Sequence, residues 1–157
     1  MGNNIVKITD YMTEDLINLQ LKGKTKEAVL DELASLISKS PSLNCKDTIK
    51  KALLEREEIG STGIGRGIAI PHAKTEYAEK LTIAFGISKD KIDFDSMDGE
   101  GVRIFFVFAS PVKDTQVYLK VLARISRLIR SENFRNKLLN AKTPKEIIDC
   151  IDEEENG

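Results

Sequence analysis

Val102-Arg-Ile-Phe-Phe-Val-Phe-Ala109 is apolar at every position but Arg103. A short run of that composition suits a strand covered on both faces rather than one with a wet side. Ser110-Pro111 closes it, since proline cannot continue a ladder. Downstream, Asp114 or Thr115 can cap a long helix. At about 100° per residue, Val117, Tyr118, Val121, Leu122, Ile125, Leu128 and Ile129 share one face of that helix, and Lys120, Arg124 and Arg127 lie opposite. Ser131 starts a shorter helix carrying Phe134, Leu138 and Leu139. Thr143-Pro-Lys-Glu146 is a capping box with proline at the first helical position. It opens a last helix with Ile147, Ile148 and Ile151 facing inward, and residues 152–157 are expected to fray. Upstream, Leu81, Ile83, Phe85 and Ile87 alternate with Thr82, Ala84 and Gly86, which reads as a strand with one face packed closely by a neighbour.

Nearer the amino terminus, Ile17, Leu19 and Leu21 alternate with polar residues as in a half-buried strand, and Gly23 ends it. Thr25 can cap a helix with Val29, Leu33, Leu36 and Ile37 at helical spacing, stopped by Ser40-Pro41. A second helix is expected from near Asn44 or Asp47 to Glu57 or Glu58, with Ile49, Ala52 and Leu53 inward. Residues 1–10 read as an arm or a short edge element. Strands and helices interleave, so the class is α/β with a sheet between helical layers. Four or five strand candidates make the sheet small.

The chain has 157 residues, 41% hydrophobic and 31% charged, the size of a single domain over 1–157. With 24 basic and 25 acidic residues the net charge is −1, which argues against a nucleic-acid partner, and no apolar run is long enough for membrane insertion. The basic helix face of Lys120, Arg124 and Arg127 therefore reads as solvated. Cys45, His72 and Cys150 lie far apart and show no ligand spacing, so neither a zinc centre nor any other metal or cofactor is expected. The two cysteines suit buried free thiols in a reducing cytoplasm. His72 is the only histidine, so any imidazole chemistry runs through it.

His72 ends the segment Gly60-Ser-Thr-Gly-Ile-Gly-Arg-Gly-Ile-Ala-Ile-Pro-His72, which holds four of the ten glycines in eight positions. Glycine permits positive φ and close backbone approach, so the segment fits a turn or a backbone nest for an anion. It lacks the lysine-hydroxyl ending of a P-loop and the glycine spacing of a dinucleotide fingerprint. By spacing alone His72 is a hydrogen-bonded strand-end imidazole or a reactive one.

The run Leu53-Leu-Glu-Arg-Glu-Glu-Ile-Gly-Ser-Thr-Gly-Ile-Gly-Arg-Gly-Ile-Ala-Ile-Pro-His-Ala-Lys74 resembles the signature of the fructose/mannitol-type enzyme IIA domains of the bacterial sugar phosphotransferase system, which include the nitrogen-related IIA proteins. Weaker similarity covers Ile92-Asp-Phe94, Asp98-Gly99 and Leu119-Lys-Val-Leu-Ala-Arg-Ile125. The resemblance implies a three-layer α/β/α sandwich around a mixed sheet. It implies that His72 accepts a phosphoryl group from phospho-HPr at Nε2, with Nδ1–H pinned by a carbonyl, and that Arg56 holds the phosphate. Thr62 and Gly63 would supply hydroxyl and backbone donors. Tyr118 stands where such proteins commonly carry a second histidine. Its hydroxyl is a candidate hydrogen-bond donor to the phosphoryl group or to His72, and packing alone is the other explanation. The implied function is a phosphocarrier passing phosphate from HPr to a IIB component for sugar uptake. A regulatory protein that binds partners according to its phosphorylation state is the alternative. A purely structural binding module would require the His72 match to be accidental. The sequence leaves the sugar and the oligomeric state open.

Overall fold

The computed structural model describes residues 6–43, 45–113 and 115–157. Its centre is β6 (Val102–Pro111), the strand expected from the apolar run. Every residue from Ile104 to Ser110 is buried, because helices cover both faces. Side chains alternate between the two layers. Phe105, Val107 and Ala109 pack against α1 (Lys26–Ile37) and α2 (Lys46–Ile59). Ile104, Phe106 and Phe108 pack against α3 (Gln116–Leu128), α4 (Glu132–Asn140) and α5 (Pro144–Asn156). The result is the α/β/α sandwich that the resemblance implied.

The sheet is mixed. β5 (Thr82–Ile92) pairs antiparallel with β6, and β1 (Ile17–Leu21) pairs parallel with β5. On the other side of β6 lie β3 (Ile68–Ala69) and then β4 (His72–Thr75), both parallel to it. Together they form one edge interrupted at Ile70-Pro71, and the Pro71 carbonyl still accepts from Phe108 N–H at 2.9 Å. β2 (Gly63–Gly65) folds back antiparallel on β3. Six strands are thus present among the described residues, more than the four or five expected. The surplus comes from the glycine-rich segment, where strands of two to four residues are too short to show periodicity.

The helix ends follow the expected chemistry. Thr25 accepts from Ala28 N–H, Ser131 from Phe134 N–H, and Thr143 and Glu146 form the capping box. Thr115 is the N-cap of α3 but makes no side-chain cap bond; Asn44 and Asp114, the other candidate caps, lie outside the described residues. Both faces of β5 from Thr82 to Ser88 are buried, where one close face was expected.

Both expectations for the termini need correction. Residues 144–156 are helical, so the tail does not fray. Glu155 accepts from Ile8 N–H at 3.0 Å and pairs with Arg124 Nε at 2.6 Å, and its side chain is only 2% exposed. Ile8–Tyr11 is a single 3-10 turn, with Ile8 buried in the core beneath α5 rather than in an arm or edge strand, while residues 1–5 of the expected arm lie outside the described residues. The same ion pair takes Arg124 out of the solvated basic face, which leaves Lys120 and Arg127 exposed.

Candidate functional site

His72 opens β4, and its register partner is Phe108. Along β4, Ala73 faces the α1–α2 layer, so alternation turns His72 toward α3. Tyr118, in the first turn of α3, stacks on the imidazole with ring centroids 3.9 Å apart and planes 16° apart. Phe108 meets Tyr118 edge-on at 5.4 Å and fixes that ring in turn. Ser110 lies two residues beyond Phe108 on the same face of β6. Its Oγ is 2.6 Å from His72 Nε2.

These contacts leave His72 only 6% exposed. Burial, with the positive charges of Lys74 and Arg56 nearby, pushes its pKa from 6.5 down to about 4. The imidazole is therefore neutral at pH 7, with one nitrogen lone pair available. Burial also raises the Tyr118 phenol above its usual value, against the pull of Arg56, so that hydroxyl keeps its proton. The pinned nitrogen differs from expectation. Nε2, not Nδ1, faces a partner, and that partner is a serine hydroxyl; among the described residues no carbonyl bonds to Nδ1.

Arg56 reaches the site from the last turn of α2, the helix that packs on β4. Its Nη1 donates to the Gly60 carbonyl at 2.8 Å, which folds the side chain back over the helix end. Arg56 is half-buried as a residue, and its charge acts on both His72 and Tyr118. His72 and Tyr118 are thus in contact, and the Arg56 charge acts on both from the end of α2.

Thr62 and Gly63 belong to a different arrangement. The Thr62 backbone N–H donates to Glu57 Oε1 at 3.1 Å, and its hydroxyl donates to the other oxygen of the same carboxylate. Gly63 N–H donates to Ser61 Oγ at 2.9 Å. With these donors engaged, neither residue presents the anion nest expected of the segment. The glycines instead serve a hairpin. Positive φ at Arg66 (60°) and Gly67 (80°) is the pairing that a two-residue type I′ turn requires. Gly65 lets the chain pass Asp98, whose Oδ2 accepts from Arg66 N–H at 2.9 Å and would lie 3.0 Å from an added Cβ.

Two contributors were not singled out in the sequence. Glu57, with its side chain 6% exposed, is bound by Thr62 and by Lys26 Nζ at 2.9 Å, and so ties the hairpin to the end of α2 beside Arg56. It sits inside the quoted run, directly after Arg56. Ser110 carried no signal beyond marking the end of a strand. A groove of about 1060 Å³ runs from Tyr118, Val117 and Lys74 past Tyr77 to Thr48 and Lys51 of α2, so one wall of the site opens onto a surface hollow. Among the described residues no group of His, Cys, Asp and Glu is placed to hold a metal, and no helix is long and apolar enough to cross a membrane.

The chain is similar to known proteins over nearly its whole length. It is 41% identical over 148 residues to the fructose-specific EIIABC component of Bacillus subtilis, covering 94% of this chain but only 23% of that much longer protein. The fructose-specific EIIA component of Haloferax volcanii is 35% identical over 96% of this chain and 97% of its own length. Among solved structures, the nitrogen regulatory protein IIA-Ntr of Neisseria meningitidis superposes with a TM-score of 0.86 at 26% identity, over 92% of this chain and 98% of that one. The profile of the phosphoenolpyruvate-dependent sugar phosphotransferase system EIIA 2 family matches residues 10–154, and the chain belongs to that family.

Proposed function

We propose that this chain is a phosphocarrier in which His72 accepts a phosphoryl group from phospho-HPr and passes it to a IIB component. The observation that carries the reading is the state of His72, a neutral imidazole held between Tyr118 and Ser110 with Arg56 alongside. Phosphoryl transfer goes through a loose, in-line transition state, so the protein's task is to position the acceptor and balance charge. A pKa of about 4 keeps the lone pair available across the physiological range. The Arg56 guanidinium can grip two phosphate oxygens, which an ammonium cannot do in the same geometry. Thr62 and Gly63 act one step back, holding the loop that shapes the end of α2. Tyr118 supplies a stacking face. Its hydroxyl has no hydrogen-bond partner among the described residues and is available to a phosphoryl oxygen.

The IIB acceptor is supported by the Bacillus subtilis relative, whose name joins A, B and C components. The likeness to nitrogen regulatory IIA-Ntr favours a second reading, a reporter that binds other proteins according to its phosphorylation. Incubation with enzyme I, HPr and labelled phosphoenolpyruvate is expected to label the wild type and not His72→Ala. Absence of label from the wild type, or equal label on the variant, overturns the carrier reading. Chase of that label onto a cognate IIB supports transport, and retention against every IIB supports the regulatory role.

A further inference from the structure

We propose that Lys74 is the second cation of the phosphoryl site: its ammonium, on the His72 face of β4, balances the negative charge that transfer brings in. The inference rests on the phosphocarrier reading and deepens it with a residue whose charge has no other use in the fold. Side chains alternate along a strand, so Lys74 falls on the same face of β4 as His72, two positions further on. In the ladder Lys74 stands opposite Ser110, the residue whose Oγ meets the Nε2 edge of the imidazole. Neighbouring strands lie about 5 Å apart, so the lysine stem starts beside that edge of the ring. Ser110 is buried and Lys74 is exposed, because the stem carries its ammonium out to the groove that Tyr118 and Val117 also line.

Lys24, Lys26, Lys46, Lys50 and Lys145 each pair with a carboxylate. Lys74 has neither an ion pair nor a hydrogen bond among the described residues, although Glu55, Glu76 and Glu79 line the same groove. The charges that act on His72 are those of Lys74 and Arg56, with Lys74 the larger, and no carboxylate opposes them. Tyr118, stacked on the ring, is neutral and adds no charge. Arg56 has one nitrogen committed to the Gly60 carbonyl. The free site therefore holds two positive charges that no anion answers. In transfer, a lone pair of His72 forms the new P–N bond, and the donor's P–N bond breaks with its electron pair left on the donor nitrogen. The group that moves is formally PO3−, so one negative charge crosses with it, and loss of the remaining ring proton to water adds a second. Arg56 grips the oxygens from the end of α2, and Lys74 meets the same charge from β4. A compact charge on a flexible stem suits that task, since it needs no fixed fork geometry.

A charge series at position 74, phosphorylated by phospho-HPr, tests this. Lys74→Gln should slow phosphorylation of His72 about fivefold and lower its equilibrium constant by a similar factor, the worth of one charge acting across a few ångströms of water. Lys74→Glu should be slower by about 25-fold, and Lys74→Arg, which keeps the charge, should stay within about twofold of wild type. The gap between wild type and Lys74→Gln should narrow in about 0.5 M salt. Because His72 is the only histidine, its ring NMR signals titrate without overlap, and Lys74→Gln should raise its pKa above about 4 in the unphosphorylated protein. Lys74 is exposed and unpaired, so melting should not shift in any of these variants. Unchanged rate and equilibrium in Lys74→Gln overturn the proposal. So does Lys74→Arg as slow as Lys74→Gln, which would mean the shape of the lysine rather than its charge. Failure of the wild type to take label would instead strike the carrier reading. The titration uses no phosphate, so it still decides whether Lys74 acts on His72.

Discussion

The hairpin of residues 63–69 and the start of β4 at His72 are neighbours in the chain, yet their polar groups are settled in opposite ways. In and around the hairpin, Thr62, Gly63 and Arg66 each direct a backbone N–H at an internal oxygen, from Glu57, Ser61 and Asp98. Positive φ at Gly65, Arg66 and Gly67 lets the chain turn tightly enough to do so. At His72 the imidazole has a single hydrogen bond, a stacked ring, and a flanking guanidinium whose remaining donors can take a ligand. The hairpin is a device for shape, and the strand start is where chemistry is left available. The contrast yields separable expectations, because damage to the hairpin should read out as stability and damage around His72 as transfer.

The largest effect is expected from acid. The folded pKa of His72, about 4, lies below its unfolded value near 6.5, so between these values the unfolded chain binds the extra proton. Stability from this group is complete above pH 6.5, is lost as pH falls toward 4, and the loss approaches about 3 kcal/mol. Urea melts at pH 7, 5.5 and 4.5 test this against His72→Gln, which should lack that component of the slope. Identical slopes would mean that His72 is not held neutral by burial. Close behind comes Arg56→Ala, expected to slow phosphorylation of His72 about a hundredfold with little change in melting. Arg56→Lys should recover only part of the rate, because the charge returns without the fork. A stopped-flow trace showing full recovery by lysine would reduce Arg56 to a diffuse electrostatic role.

The same contrast explains which features were legible in the sequence. β6 and α3 were readable because one carries a near-continuous apolar run of eight residues and the other a periodic apolar face over its whole length. Thr25 and Thr143 were readable as caps because capping is local. β2, β3 and β4 were not, since none exceeds four residues and β3 and β4 pair with β6, more than thirty positions away. Their glycines fit either an anion nest or a turn in the sequence, and the backbone adopts the turn. His72 stands out as the only histidine, and the roles of Arg56 and Tyr118 came from the family resemblance; the fold stacks Tyr118 on His72, with the Arg56 charge acting on both. The contact of Ser110 with His72 carries no sequence signal, because it depends on strand register across 38 positions. The helical tail was missed for a similar reason. An acidic run looks solvated until Arg124 and the Ile8 amide are found against Glu155.

On the hairpin side, Gly63→Ala should cost about 2 kcal/mol, because its Cβ would sit 2.3 Å from Ser96 Oγ and 3.1 Å from Ser96 Cα. Ser96 Oγ is buried without a partner, so removing it sacrifices no hydrogen bond. Gly63→Ala combined with Ser96→Ala should therefore recover part of the loss in a denaturant titration. Transfer per folded molecule should stay within about twofold of wild type in both variants. A hundredfold loss of transfer in the stable double variant would place the hairpin within the reaction site and erase the distinction.

The smallest effect is expected where packing and chemistry meet, at Tyr118. Tyr118→Phe keeps the ring that stacks on His72 and meets Phe108, so neither melting nor the depressed pKa of His72 should change. What it removes is one neutral donor beside the phosphoryl group, a net contribution of about 0.5–1.5 kcal/mol for such a bond. The phosphohistidine lifetime should shorten about threefold, toward the low end of that range, because the hydroxyl is also open to water. Tyr118→Ala would remove the stack as well and let water reach the imidazole, moving the histidine pKa back toward its ordinary value. If Tyr118→Phe leaves lifetime and rate unchanged while Tyr118→Ala shifts the pKa, the residue acts through its ring alone. The hydroxyl role then falls, and Arg56 is left as the group that grips phosphate at this site.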